Sequence, residues 1–380
     1  MRMRTITRRT LLGLGAALAA VGLAGCPGPP EENKGAETPG SSGAPATPGT
    51  NGGAATTDKS GKKIKVALVF DLGGPDDKSF NASANNGLMK AKADLGLSDA
   101  DVKTVESKNA ADYKINMTNF ATQNFDLIIA VGFNMANAMK EVAPQFPNVK
   151  FAIVDADAPE GAANCVGLKF QEEQGSFLAG FLAASMSKTK KIGFVGGMEG
   201  PLIGKFEAGY RAGAKTAGFD PDKQVSVTYT GTWDDLSKGK DQANQQFGNG
   251  ADIIYQAAGK AGLGVIQAAQ DKGKGFYAIG VDQDQDYIAP GRVLTSMVKH
   301  VDLAVADTIE RVQKGTFVSG TKVYSLKDGA IGLSEMKYTK QDIPADVLAK
   351  LDKLTKMVAD GEVVPPTKPA DVAAFTPPKL

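Results

Sequence analysis

Apolar residues in this chain fall into short runs that alternate with stretches of helical spacing, and the alternation begins near Lys62. Ile64–Phe70 is a β-branched apolar run, the pattern of a buried strand. Further strands are predicted at Val102–Glu106, Leu127–Val131, Phe151–Val154 and Val166–Phe170. Helical spacing falls between and after them, at Asn81–Leu95, Tyr113–Gln123, Asn134–Ala143 and Gly175–Met186. After a lysine-rich break at 188–191 the rhythm restarts. Strands are predicted at Ile192–Gly196, Val225–Thr230, Ile253–Gln256, Tyr277–Val281 and Val293–Met297. Their helices are Lys205–Ala217, Leu236–Phe247, Gly264–Lys272 and Ala304–Lys314. Strands that alternate with helices form parallel sheets wrapped by helices. Two series of similar length imply an α/β protein with two similar lobes and a cleft between them.

The first 61 residues follow another pattern. Arginines at positions 2, 4, 8 and 9 precede a small apolar run from Leu11 to Ala24, which reads as a secretory signal over residues 1–25. The run is shorter than the ~20 residues that cross a bilayer. Arg8-Arg9 before Leu11-Leu12 is also compatible with a twin-arginine signal. Leu23-Ala24-Gly25-Cys26 resembles a lipobox, so Cys26 is the expected lipidation site. Residues 26–61 are rich in Gly, Pro, Ala, Ser and Thr, a composition that forms a tether instead of a core. The expected product is a body lipid-anchored on the extracytoplasmic side of a membrane.

Composition narrows the chemistry. Lys+Arg is 43 against Asp+Glu 42, a net charge of +1 that becomes −3 once the signal and its arginines are removed. That balance argues against a nucleic-acid partner. One histidine and two cysteines in 380 residues exclude a Cys/His metal centre and a disulfide framework. No metal, cofactor or catalytic residue is expected.

Ligands of open α/β sheets bind beyond the carboxyl ends of the strands. Asp71, Gly132–Asn134, Asp155, Trp233, Gly259, Asp282 and Lys299 all follow predicted strands. Ser79 is placed to cap the helix that begins with Phe80 and Asn81. Phe80 on the first turn faces either the cleft or the core. Trp233, the sole tryptophan, is either a stacking surface or a core or interface anchor. Gly259, Gly262 and Gly264 follow a strand but in the wrong order for a dinucleotide fingerprint. A backbone that approaches a ligand closely fits them better. Asp282 closes Ile279-Gly-Val-Asp282, and a carboxylate suits the vicinal hydroxyls of a ribose or other sugar. If Phe80 and Trp233 both face the cleft, a flat heterocycle stacks between them.

With these residues in place, the chain resembles the basic membrane protein family of bacterial lipoproteins, of the purine nucleoside receptor type. The resemblance covers about residues 62–335. It rests on Asp76-Asp-Lys-Ser-Phe-Asn81, Gln174-Gly-Ser-Phe-Leu178, Val195-Gly-Gly-Met198, Phe206-Glu-Ala-Gly209, Ile279-Gly-Val-Asp-Gln283 and Leu294-Thr-Ser-Met-Val-Lys299. It implies a type I periplasmic-binding-protein fold, two Rossmann-like lobes with a central cleft. Lobe 1 is then 62–170 completed by about 300–325, and lobe 2 is 171–299 completed by about 326–362. A Pro-rich tail spans 363–380. The implied role is a monomeric substrate-binding protein that delivers a nucleoside to the permease and ATPase subunits of an ABC transporter. A free sugar or other small polar metabolite is the alternative ligand. By the same resemblance, Phe80 and Trp233 stack on the two faces of the base and Asp155 accepts from its edge. Asp71 and Asn81 line the first lobe's wall. Asp282 takes the ribose hydroxyls with Lys299 beside it as donor and charge partner, and Gly259 lets the backbone approach the sugar. Trp233 stands where the family usually has phenylalanine, and Lys260 stands where a second glycine is common.

Overall fold

The computed structural model describes residues 62–380, and the signal, Cys26 and the tether lie outside the described residues. The first lobe begins with β1 (Val66–Phe70), α1 (Phe80–Leu95), β2 (Val102–Glu106) and α2 (Ala110–Thr122).

 It continues with β3 (Leu127–Val131), α3 (Ala136–Val142), β4 (Lys150–Val154) and β5 (Cys165–Phe170). The second lobe runs from α4 (Glu172–Met186) through β6 (Ile192–Gly196), α5 (Pro201–Thr216), α6 (Pro221–Gln224) and β7 (Val225–Tyr229). It then adds α7 (Leu236–Gly248), β8 (Ile253–Ala257), α8 (Gly262–Lys272), β9 (Tyr277–Asp282) and β10 (Val293–Lys299). The chain returns to the first lobe for α9 (Val301–Gln313) and β11 (Gly320–Tyr324), and ends on the second with β12 (Ile331–Leu333) and α10 (Ala345–Ala359).

Each lobe is built on a six-stranded sheet, ordered β11-β5-β4-β3-β1-β2 in the first and β12-β10-β9-β8-β6-β7 in the second. Every pairing is parallel except that of β12 with β10. The central strands β1, β3, β6 and β8 are buried at every position, because helices cover both faces. That is why they read as unbroken apolar runs. The two sheets exchange strands through three crossings, after Phe170, after Lys299 and after Tyr324.

Helices α4 and α5 pack backbone against backbone in the second lobe. A Cβ on Gly180 would lie 1.9 Å from the Tyr210 carbonyl oxygen, and one on Gly213 would lie 1.9 Å from that of Phe177. Glycine is required at both places by contact alone. Beyond α10, the final segment is docked on this lobe. Lys215 Nζ donates to the carbonyl oxygens of Val372, Ala373 and Phe375, and the Phe375 ring meets Phe177 edge-on at 5.8 Å. Among the described residues no helix is long and apolar enough to cross a membrane.

Candidate ligand-binding site

The carboxyl ends of the two sets of parallel strands converge on a cavity. Asp71, Phe80, Asn81, Asp155, Trp233, Gly259, Asp282 and Lys299 all line it. Leu72, Asp77, Gly132, Phe133, Leu202, Ile203 and Phe206 complete much of its wall.

The first-lobe wall is held rigidly. Asp71, just past β1, accepts from the Tyr113 hydroxyl, from Asn134 Nδ2 at 2.8 Å and from the Leu72 N–H at 2.8 Å. Gly132 allows this: a Cβ there would lie 2.9 Å from Asp71 Oδ2. The start of α1 differs from the expected cap. The Asp77 carboxylate accepts from the backbone N–H groups of Ser79, Asn81 and Ala82, each at 2.9 Å. Ser79 makes no side-chain cap and turns its hydroxyl to the other lobe instead. A carboxylate accepts through two oxygens, so Asp77 serves three N–H groups where a hydroxyl would serve fewer. Asp77 Oδ2 also takes Asn81 Nδ2 at 3.0 Å, which fixes the amide and leaves Asn81 Oδ1 buried without a partner.

Lys299 organises the floor. It is 1% exposed at the end of β10. Its Nζ donates to Asp155 Oδ2 at 2.7 Å and lies 3.4 Å from Glu172 Oε1. The same ammonium lies 5.1 Å from the ring centroids of Phe80 and Phe170 and 5.6 Å from that of Phe206. Aromatic faces attract a desolvated cation. From sequence Lys299 is the charge partner of Asp282, whereas its direct bond is to Asp155. Burial would depress its pKa, but Asp155, Glu172 and Asp282 outweigh burial and hold it above the ordinary lysine range.

The two candidate acids are alike in setting. Asp155 directly follows β4 at φ +66° and Asp282 ends β9 at φ +67°, both in the left-handed region. Burial raises both carboxyls, Asp282 to about 7, while Lys299 pulls each back down. Asp155 Oδ1 is buried without a hydrogen-bond partner, the second unpartnered acceptor on the cavity wall beside Asn81 Oδ1.

Trp233 enters from the second lobe in the loop after β7. Its ring lies against the backbone of Gly197, where a Cβ would sit 2.3 Å from the indole. Gly259, at φ +57°, keeps the neighbouring turn close: a Cβ there would stand 3.3 Å from the Trp233 carbonyl oxygen. Phe133 meets Trp233 edge-on at 6.3 Å from across the cavity. The strand-end rule reaches Phe133, within Gly132–Asn134, but gives it no role. Phe206 lies in a quoted motif without an assigned part. Glu172 carries no sequence signal, because only the fold brings it to Lys299.

Two parallel-sheet lobes, three crossings and a cavity at the strand ends define a two-lobed solute-binding protein of the type I periplasmic-binding fold. Residues 64–365 match the family described as ABC transporter substrate-binding protein PnrA-like, and the chain belongs to that family. It is 39% identical over 332 residues to the CD4+ T-cell-stimulating antigen of Listeria innocua, covering 82% of this chain and 90% of that one. It is 37% identical over 307 residues to basic membrane protein A1 of Borrelia garinii subsp. bavariensis, with 80% and 88% covered. A solute-binding protein of an ABC transporter system from Aeropyrum pernix superposes with a TM-score of 0.74 at 27% identity, covering 82% of this chain and 96% of that one. The chain is thus the substrate-binding component of an ABC transporter, the extracytoplasmic part that serves the permease and ATPase subunits.

Proposed function

We propose that this protein captures a nucleoside with a purine base, acts as a monomer, and is held to the membrane by lipid on Cys26. The observation that carries the reading is the make-up of one cavity's lining. Phe80 comes from one lobe and Trp233 from the other, and two unpartnered buried acceptors, Asn81 Oδ1 and Asp155 Oδ1, lie on the same cavity. A base supplies a flat face to each ring, with stacking worth ~1–3 kcal/mol per ring. Its N–H edge supplies donors to the acceptors. The pentose then meets Asp282, with Gly259 admitting it to the backbone. A phosphate is disfavoured beside Asp71, Asp155 and Asp282, since like charges at close range repel.

Mass spectrometry of solute released by denaturing the purified protein tests the ligand. A purine nucleoside is expected, and a pentose or hexose as the sole released solute would overturn the reading. Metabolic labelling with a palmitate analogue tests the anchor. Label should appear on the wild type and disappear in Cys26→Ser, and equal label in both would contradict lipidation at Cys26.

A further inference from the structure

Beside the cavity, side chains of the two lobes bond directly across the cleft. Ser79 Oγ, immediately before α1, donates to Asp282 Oδ2 at the end of β9 over 2.5 Å. Gln283 Nε2 donates to the Ser79 carbonyl oxygen at 2.9 Å, and Gln283 Oε1 accepts from Asn86 Nδ2 at 2.9 Å. Gln285 Nε2 donates to the Lys78 carbonyl oxygen at 2.8 Å. Each bond joins residues 78–86, before and within the first turns of α1, to residues 282–285 at the end of β9 and just after it.

Both halves of this seam are held in place by their own lobes. Gln285 is fully buried; its Oε1 accepts from Gln256 Nε2 at 2.9 Å and from the Val281 N–H at 3.0 Å. Its own N–H donates to Ser296 Oγ at 3.0 Å, so its amide points one way. Opposite it, the Asp77 carboxylate fixes the turn that carries Lys78 and Ser79. Lys78 at φ +53° on one side of the seam and Asp282 at φ +67° on the other are non-glycine residues in the left-handed region. Backbone of that kind persists where its surroundings over-determine it.

We propose that this seam is an interlobe latch, with Ser79 as its central positioning residue, and that it sets how long the closed form persists and how slowly a captured solute leaves. Asp282 links the latch to the cavity. Its Oδ2 is taken by Ser79, no described donor bonds its Oδ1, and the residue lines the cavity. A solute hydroxyl on Oδ1 and the latch on Oδ2 therefore hold one carboxylate together. The inference rests on the solute-binding role of the family and not on the nucleoside reading.

The test uses the full chain with Cys26→Ser, in which Cys165 is buried. Spin labels are placed at Lys108→Cys in the first lobe and Lys238→Cys in the second, both exposed positions. Double electron–electron resonance then reads the interlobe distance without solute. Ser79→Ala should shift the distribution to longer distances. Asn86→Ala, a change at an exposed site, should shift it the same way and less. Stopped-flow fluorescence with inosine as probe should show a faster off-rate for Ser79→Ala, by about 10-fold, the size expected when one buried hydrogen bond is lost. The on-rate should change little. Distance distributions identical to wild type in both variants would overturn the latch. If inosine, guanosine and adenosine all fail to bind the wild type, the nucleoside reading falls, and the distance measurement still decides the latch.

Discussion

Lys299 is where the charges of the cavity meet, and its replacement separates packing from pairing. Lys299→Met keeps much of the stem volume but leaves Asp155 and Glu172 buried with less counter-charge. Breaking a buried pair in this way costs about 3–5 kcal/mol, so the thermal midpoint should fall sharply. An unchanged midpoint would show that the ammonium is dispensable. Asp282 gives a pH signature. Its pKa rises from 3.8 to about 7 in the folded protein, chiefly through burial. Between those values the folded state keeps a proton that the unfolded chain has lost, so this group's contribution to stability falls as pH rises through the window. Asp282→Asn does not titrate. Its stability relative to wild type, from urea unfolding, should therefore rise across that window and level off above it; a pH-independent difference would contradict the assignment. At the rings, Phe80→Ala and Trp233→Ala should each weaken inosine binding by calorimetry, by about 10- to 100-fold if ~1–3 kcal/mol of stacking is lost. Strand ends and motif resemblance made these residues legible in the sequence. Glu172 and Phe170 were not, since each reaches Lys299 through contacts between distant segments, and the unpartnered Asn81 oxygen follows from the local bond of its amide to Asp77.

At the scale of elements, most strands and helices were readable because a strand covered on both faces must be apolar throughout. The misses have physical causes. β11 is exposed at four of its five positions, and β12 has only three residues, so neither carries an apolar run. Both close their sheets through pairing that comes from elsewhere in the chain. Helix α10 did carry a signal, with Val347, Leu351, Leu354 and Val358 buried along one stripe. The Ser79 cap failed because Asp77, two residues earlier, offers two acceptor oxygens to the same N–H groups. The α4–α5 contact yields its own expectation. Gly180→Ala places a methyl against the Tyr210 carbonyl and must push the helices apart. Overpacking of this kind costs about 1–3 kcal/mol, which chemical unfolding should register as a lower midpoint. A wild-type midpoint would mean that the helix pair shifts freely.

For the whole molecule, three chain crossings join the two lobes. Hinge motions of this type need only a few residues to change conformation. The cavity lies between the strand ends of both sheets, so closure brings the acids and rings of the two lobes together. Trp233 is the sole tryptophan and lines that cavity, so its emission reports on the ligand directly. The most direct test of the account is a Trp233 fluorescence titration with inosine, guanosine and adenosine beside ribose. The account predicts a saturable change in emission with at least one nucleoside and none with ribose. Saturable change with ribose alone, or a flat response to every nucleoside, would contradict it.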